Sequence, residues 1–113
     1  ALPPVEDIQG AADFHKVTMD EVRQGLARLQ EMLPVIENGE GQSSQHWQDF
    51  DRRKGLDYQH GYQRIYDAFY GQNAIRVEKT GDQYNIINGR HRIWLAQLMN
   101  ILHLPMLVVE KKE

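Results

Sequence analysis

The residues of this chain best suited to chemistry are Asn88-Gly89-Arg90-His91-Arg92. A strand-like run, Tyr84-Asn85-Ile86-Ile87, leads into them, and a helix-like run, Ile93-Trp94-Leu95-Ala96-Gln97-Leu98-Met99, follows. A glycine turn thus joins strand to helix and sets two arginines and a histidine at the helix start. Cations are disfavoured there, because first-turn N–H groups are unpaired and the helix start carries about half a positive elementary charge. An anion reverses the balance: a phosphate accepts from the N–H groups and from both guanidinium groups together. The spacing predicts a phosphate-handling site.

Within that site each residue type has a defined task. Gly89 supplies positive φ or close approach to a ligand. Arg92, three residues on, can point back over the turn and grip a phosphate in bidentate fashion. Arg90 is a second phosphate contact, or a solvent-facing cation. His91 is the one group of the motif that titrates near neutrality, so it is the candidate general acid for a leaving oxygen. Asn88 either orients a water or a sugar hydroxyl, or caps the helix. The candidate catalytic set is therefore His91, Arg92 and Asn88, and the candidate phosphate ligands are Gly89, Arg90, Arg92 and, from the preceding strand, Arg76. Asp51, Arg52 and Arg64 are accessory candidates, with Asp51 able to bring the carboxylate that Asn88 is not. The five histidines have no metal-ligand spacing such as i, i+4, and no metal-ligating set is expected from them.

These residues need elements to hold them. Residues 1–14, with two prolines and weak periodicity, read as a linker or short docking arm, and 15–113 as one domain. Thr18-Met19-Asp20-Glu21 has capping-box form. Behind it Val22, Leu26, Leu29, Leu33 and Ile36 make one apolar helical face, which Pro34 should end or bend near Leu33. A polar loop follows over 37–45. A short helix carries Trp47 and Phe50 and stops at Gly55 behind the basic run Arg52-Arg53-Lys54. Tyr58, Tyr62, Ile65, Tyr66 and Phe69 predict a third helix with an aromatic core face, closed by Gly71. Residues 74–79 and 84–87 flank the turn Thr80-Gly81-Asp82 as a hairpin. The helix after Gly89 reaches about Asn100, and 104–109 is a last strand. The order is α, α, α, β, β, α, β, an α+β domain.

Composition sets outer limits. The 113 residues suit one domain with a single core, and 41% apolar and 26% charged residues are ordinary for a globular protein. No run approaches the roughly 18 apolar residues that a membrane span needs, so no membrane partner is expected. The absence of cysteine removes disulfides and thiolate chemistry. Net charge is −3 but uneven: residues 1–50 hold three Lys/Arg against nine Asp/Glu, a net −6, and residues 51–113 hold ten against seven, a net +3. The basic half carries the glycine turn, where it can focus an anion.

From Ala74 to Val109 the chain resembles the ParB/sulfiredoxin-like superfamily, whose ParB-like members include nucleases. The residues that carry the likeness are the hairpin Ala74–Lys79, Thr80-Gly81-Asp82, Tyr84–Asn88, then Gly89-Arg90-His91-Arg92 opening a helix with Ala96, then Leu104-Pro105-Met106-Leu107-Val108. The resemblance implies a small ParB/sulfiredoxin-like domain: helices first, then a β-hairpin, a helix opened by Gly-Arg-His-Arg, and a last strand. It implies a Gly-x-His-Arg turn that holds the phosphates of a nucleotide or nucleic acid, with a divalent metal or a nucleoside triphosphate as cofactor. It also implies bacterial settings: the cytoplasm, or a toxin-type C-terminal domain secreted or injected within a larger protein and met by a cognate inhibitor protein. Two departures narrow the chemistry. Sulfiredoxin repair needs a cysteine where Arg90 stands, and many members with nuclease character have Asp where this chain has Asn88.

Three functions therefore compete: a nuclease or nucleotide phosphohydrolase, a non-catalytic nucleotide-binding regulatory module, and a protein-interaction domain with a vestigial site.

Overall fold

The computed structural model describes residues 2–111. Helix α1 (Met19–Glu37) opens as the capping box predicts. The Glu21 N–H donates to Thr18 Oγ1 at 3.1 Å, and the Thr18 N–H donates to Glu21 Oε1 at 3.3 Å. Its buried face is Leu26, Leu29, Met32 and Ile36, with Val22 and Leu33 partly buried beside it. The helix does not end at Leu33. Pro34 falls in the last turn, where its missing N–H deprives only one carbonyl, and one more turn forms, with the Asn38 N–H donating to Pro34 O at 3.2 Å.

Helix α2 (Ser44–Lys54) starts at a Ser43 cap, whose Oγ accepts from the His46 N–H at 3.1 Å. It ends at Gly55 in the left-handed conformation. Helix α3 (Gln63–Tyr70) begins later than the aromatic spacing suggests, leaving Tyr58 outside it and exposed. The cause is Asp51, whose carboxylate reaches across from α2 and accepts from the Tyr62 N–H at 2.7 Å and the Gln63 N–H at 3.0 Å. Of the aromatic face only Phe69 is fully buried. Tyr62 and Tyr66 are half-buried around a second apolar cluster built on Met32, Ile36 and Trp47.

Strands β1 (Arg76–Thr80) and β2 (Gln83–Asn88) form the predicted antiparallel hairpin. Helix α4 (Arg90–Leu98) then crosses to β3 (Leu107–Glu110), which pairs parallel to β1 on its other side, giving the order β2-β1-β3. Asn100 adopts φ 62°, and Ile101 N–H and Asn100 N–H close the end of α4 on Ala96 O and Gln97 O at 2.8 and 3.1 Å. The last strand begins at Leu107 rather than Leu104: Leu104 is buried in the core, Pro105 has no N–H to give, and the Leu107 N–H makes the first bond, to Ile75 O at 2.8 Å.

The domain is α+β, with four α-helices and a three-stranded mixed sheet among the described residues. Its core joins Leu26 and Leu29 of α1, Phe69, Ile75, Val77, Leu104, and Ile93, Leu95 and Ala96 of α4. The segment before α1 packs on this body. Ile8 is 4% exposed, Leu2, Val5 and Phe14 lie against the core, and Gln97 Nε2 donates to Leu2 O and Pro3 O at 3.2 and 2.8 Å. No helix among the described residues is long and apolar enough to cross a membrane.

Candidate functional site

The strand-to-helix turn is shaped by two backbone irregularities. In the hairpin Val77 pairs with Ile86 but Arg76 pairs with Asn88, so Ile87 is an extra residue, a β-bulge that re-aims the end of β2. Gly89 follows at φ 103°, a region closed to most L-residues. A Cβ at Gly89 would stand 2.7 Å from Ile75 Cγ1 and 3.1 Å from Arg92 Nη2, so the turn is both left-handed and pressed against the core. Among the described residues no side chain caps α4, whose first-turn N–H groups are left for another acceptor.

A cleft of about 460 Å³ opens at this turn. The chain before α1 supplies Phe14, His15, Lys16 and Val17, α1 supplies Val22, β2 supplies Ile86, Ile87 and Asn88, and the turn supplies Gly89 to Arg92. Among the described residues three Lys/Arg and two His line it, and no carboxylate does.

The motif residues are engaged as follows. Asn88 does not cap α4: its Nδ2 donates to Asn73 O and Ala74 O, each at 3.2 Å, tying β2 to the lead-in of β1. Arg90 Nε lies 3.0 Å from Asp7 Oδ2, with both side chains more than half exposed. His91 Nε2 lies 2.7 Å from Asp13 O, and its ring meets Phe14 edge-on at 4.9 Å. A carbonyl only accepts, so the ring donates through Nε2 and leaves Nδ1 as its second polar atom.

Arg92 donates from Nη1 to Ala68 O at 2.8 Å and from Nη2 to Asn73 O at 2.6 Å, and its guanidinium stands 5.2 Å from the Phe69 ring centre. Burial lowers its pKa, and no carboxylate is paired with it among the described residues. The bidentate geometry foreseen for a phosphate is here spent on two backbone carbonyls.

The other candidates lie apart from the cleft. Arg76 is exposed at the start of β1 and does not line it. Asp51 is 4% exposed, caps α3 and borders a different hollow with Arg52, which lies 3.6 Å from Asp49. Asp51 therefore brings no carboxylate to the Gly89 turn. Arg64 sits in a smaller hollow of about 200 Å³ that shares Val17, Val22 and Arg92 with the cleft, and its Nη1 donates to Gln59 O at 3.4 Å.

Sequence reasoning missed His15 and Lys16 as lining residues, and Asp7 and Asp13 as partners of the motif. The signal for the first pair was present, since His15-Lys16 is the one pair of adjacent basic residues in positions 1–50. Lys16 makes no ion pair among the described residues. Asp13 is folded back on its own turn, where the N–H groups of Gln9 and Gly10 hold its carboxyl below the usual aspartate range.

Among the described residues no group of three or more His, Asp or Glu is placed to hold a metal ion. A divalent cation in this cleft would have to be carried chiefly by the phosphates of a ligand. No protein-family model matches the chain, and no curated protein or solved structure matches it.

Proposed function

We propose that the cleft at Gly89 binds a phosphate group of a nucleotide or nucleic acid, and that the chain is a ParB/sulfiredoxin-like domain acting as a phosphoester hydrolase. One observation carries this reading: in a chain of net charge −3, a single cleft gathers Lys16, Arg90, Arg92, His15 and His91 at an uncapped helix start, with no carboxylate on its walls among the described residues. Such an arrangement favours an anion, because the helix-start N–H groups and the cations face it together.

The chemistry available is general acid catalysis. The water oxygen forms the new P–O bond and gives up a proton to bulk solvent, the ester P–O bond breaks with its electron pair on the leaving oxygen, and protonated His91 passes its Nδ1 proton to that oxygen. The Asp13 carbonyl on Nε2 fixes the ring's tautomer and orientation for that step. Lys16 and Arg90 bear the charge that grows on the phosphoryl oxygens. Hydrolysis of a nucleotide or a short DNA or RNA strand by the full chain, lost in His91→Ala and weakened in Lys16→Ala with folding retained, is the expected result. Turnover unchanged in both variants refutes it.

A second reading has its own support. Arg92 is committed to backbone carbonyls, and among the described residues no carboxylate lines the cleft to activate water. That favours a module that binds a nucleotide without turning it over. Calorimetric titration with nucleotides, run beside the turnover assay, separates the two: saturable binding with no product supports the module.

A further inference from the structure

The segment before α1 does more than wall the cleft. Ile8 is buried, and the Leu2 and Pro3 carbonyls are held by Gln97, so the segment is anchored on both sides of Asp7 or adjacent to it. That anchoring delivers the Asp7 carboxylate to Nε of Arg90 at 3.0 Å; Arg90 lines the cleft, and Asp7 holds it from outside the lining. A carboxylate and a phosphate compete for the same guanidinium donors. The pair is open to solvent, 56% and 61% exposed, and such pairs are weak. It is also intramolecular, so its carboxylate is always present at high effective concentration, whatever the solution holds.

We propose that Asp7 is a built-in competitor, a displaceable latch that occupies Arg90 until a phosphate-bearing ligand takes the guanidinium from it. This rests on the phosphate reading of the cleft. The latch sets a threshold: ligands with one weak anionic contact fail to displace it, and those that also engage Lys16 and the α4 N–H groups succeed. The Asp13 carbonyl on His91 belongs to the same segment but carries no charge, so Asp7 is the competing anion.

The test is a double-mutant cycle with inorganic phosphate as the probe, followed by the amide resonances of Gly89 to Arg92 in the full chain. Asp7→Asn is expected to bind phosphate about two- to fivefold more tightly than the unaltered chain, as loss of one exposed ion pair implies. In an Arg90→Ala background the same change should give no gain, because the latch acts through Arg90. An unchanged or weaker affinity for Asp7→Asn overturns the proposal. So does an equal gain in the Arg90→Ala background, which would mark a general field effect of one negative charge. If neither the unaltered chain nor Asp7→Asn shows a saturable shift, the phosphate reading falls and the latch with it. A saturable shift that Asp7→Asn leaves unmoved removes the latch alone.

Discussion

Replacing Gly89 by alanine tests whether the turn is as constrained as its geometry implies. The residue sits at φ 103°, ψ 18°, about 45° beyond the usual left-handed basin near +57°. An L-residue held in left-handed backbone loses roughly 1–2 kcal/mol. The added Cβ also meets Ile75 Cγ1 at 2.7 Å and Ile75 Cβ at 3.2 Å. Ile75 is 0% exposed within the core and cannot swing aside, so an overpacking cost of about 1–3 kcal/mol follows. The third neighbour, Arg92 Nη2 at 3.1 Å, is itself tied to Asn73 O. Together the loss is about 2–5 kcal/mol, a large part of the roughly 5–15 kcal/mol that holds a domain of this size.

Urea unfolding followed by circular dichroism should show a lower midpoint at unchanged slope, and the melting temperature should fall on the order of 10–20 °C. Gly89→Asn should cost about 1 kcal/mol less than Gly89→Ala, since asparagine tolerates positive φ while keeping the Cβ clash. An alanine variant within about 0.5 kcal/mol of the unaltered chain would refute the reasoning. It would mean that the turn re-forms with negative φ and that Ile75 yields.

Two further outcomes follow from other parts of the molecule. Asp51→Ala should destabilise the fold by about 2–3 kcal/mol, because it orphans the Tyr62 and Gln63 N–H groups at the start of α3; Asp51→Asn, keeping one acceptor, should cost less, and both should leave phosphate affinity of the folded chain unmoved, as read by the same urea and titration measurements. The turn at Gln9–Asp13 should loosen in acid: Asp13 has its carboxyl pKa depressed by the Gln9 and Gly10 N–H groups, so its contribution is present above the ordinary aspartate pKa near 4 and is lost as pH falls through the lower folded value. Amide shifts of Gln9 and Gly10 recorded from pH 6 to pH 2 would show it, and shifts flat across that range would count against it.

What could be read from the amino-acid order was local. The Thr18–Glu21 box and the Gly55 stop each act within a few residues, and each is realised where the spacing places it. The element order follows from such signals together with the alternation of 74–79 and the turn that leads back into 84–87. Features made by distant partners were not legible. Asp51 looks like part of a solvated helix end until α3 folds back onto it, 11 residues on. Asp7 and Arg90 are 83 positions apart, and nothing in either residue's neighbourhood announces the other. Arg92 was hardest of all, because its acceptors are backbone carbonyls, which every residue type provides and no composition reveals.

That last arrangement has a mechanical consequence. One guanidinium stitches three pieces of chain: the closing turn of α3 through Ala68, the connection to β1 through Asn73, and the opening turn of α4 on which it rides. Any ligand that pulled Arg92 toward itself would unpick this stitch and leave two carbonyls needing water. Occupancy would then be legible far from the ligand, as faster amide exchange at the end of α3 and through residues 71–74, so the quiet loop between helix and sheet becomes the place to listen for an event at Gly89.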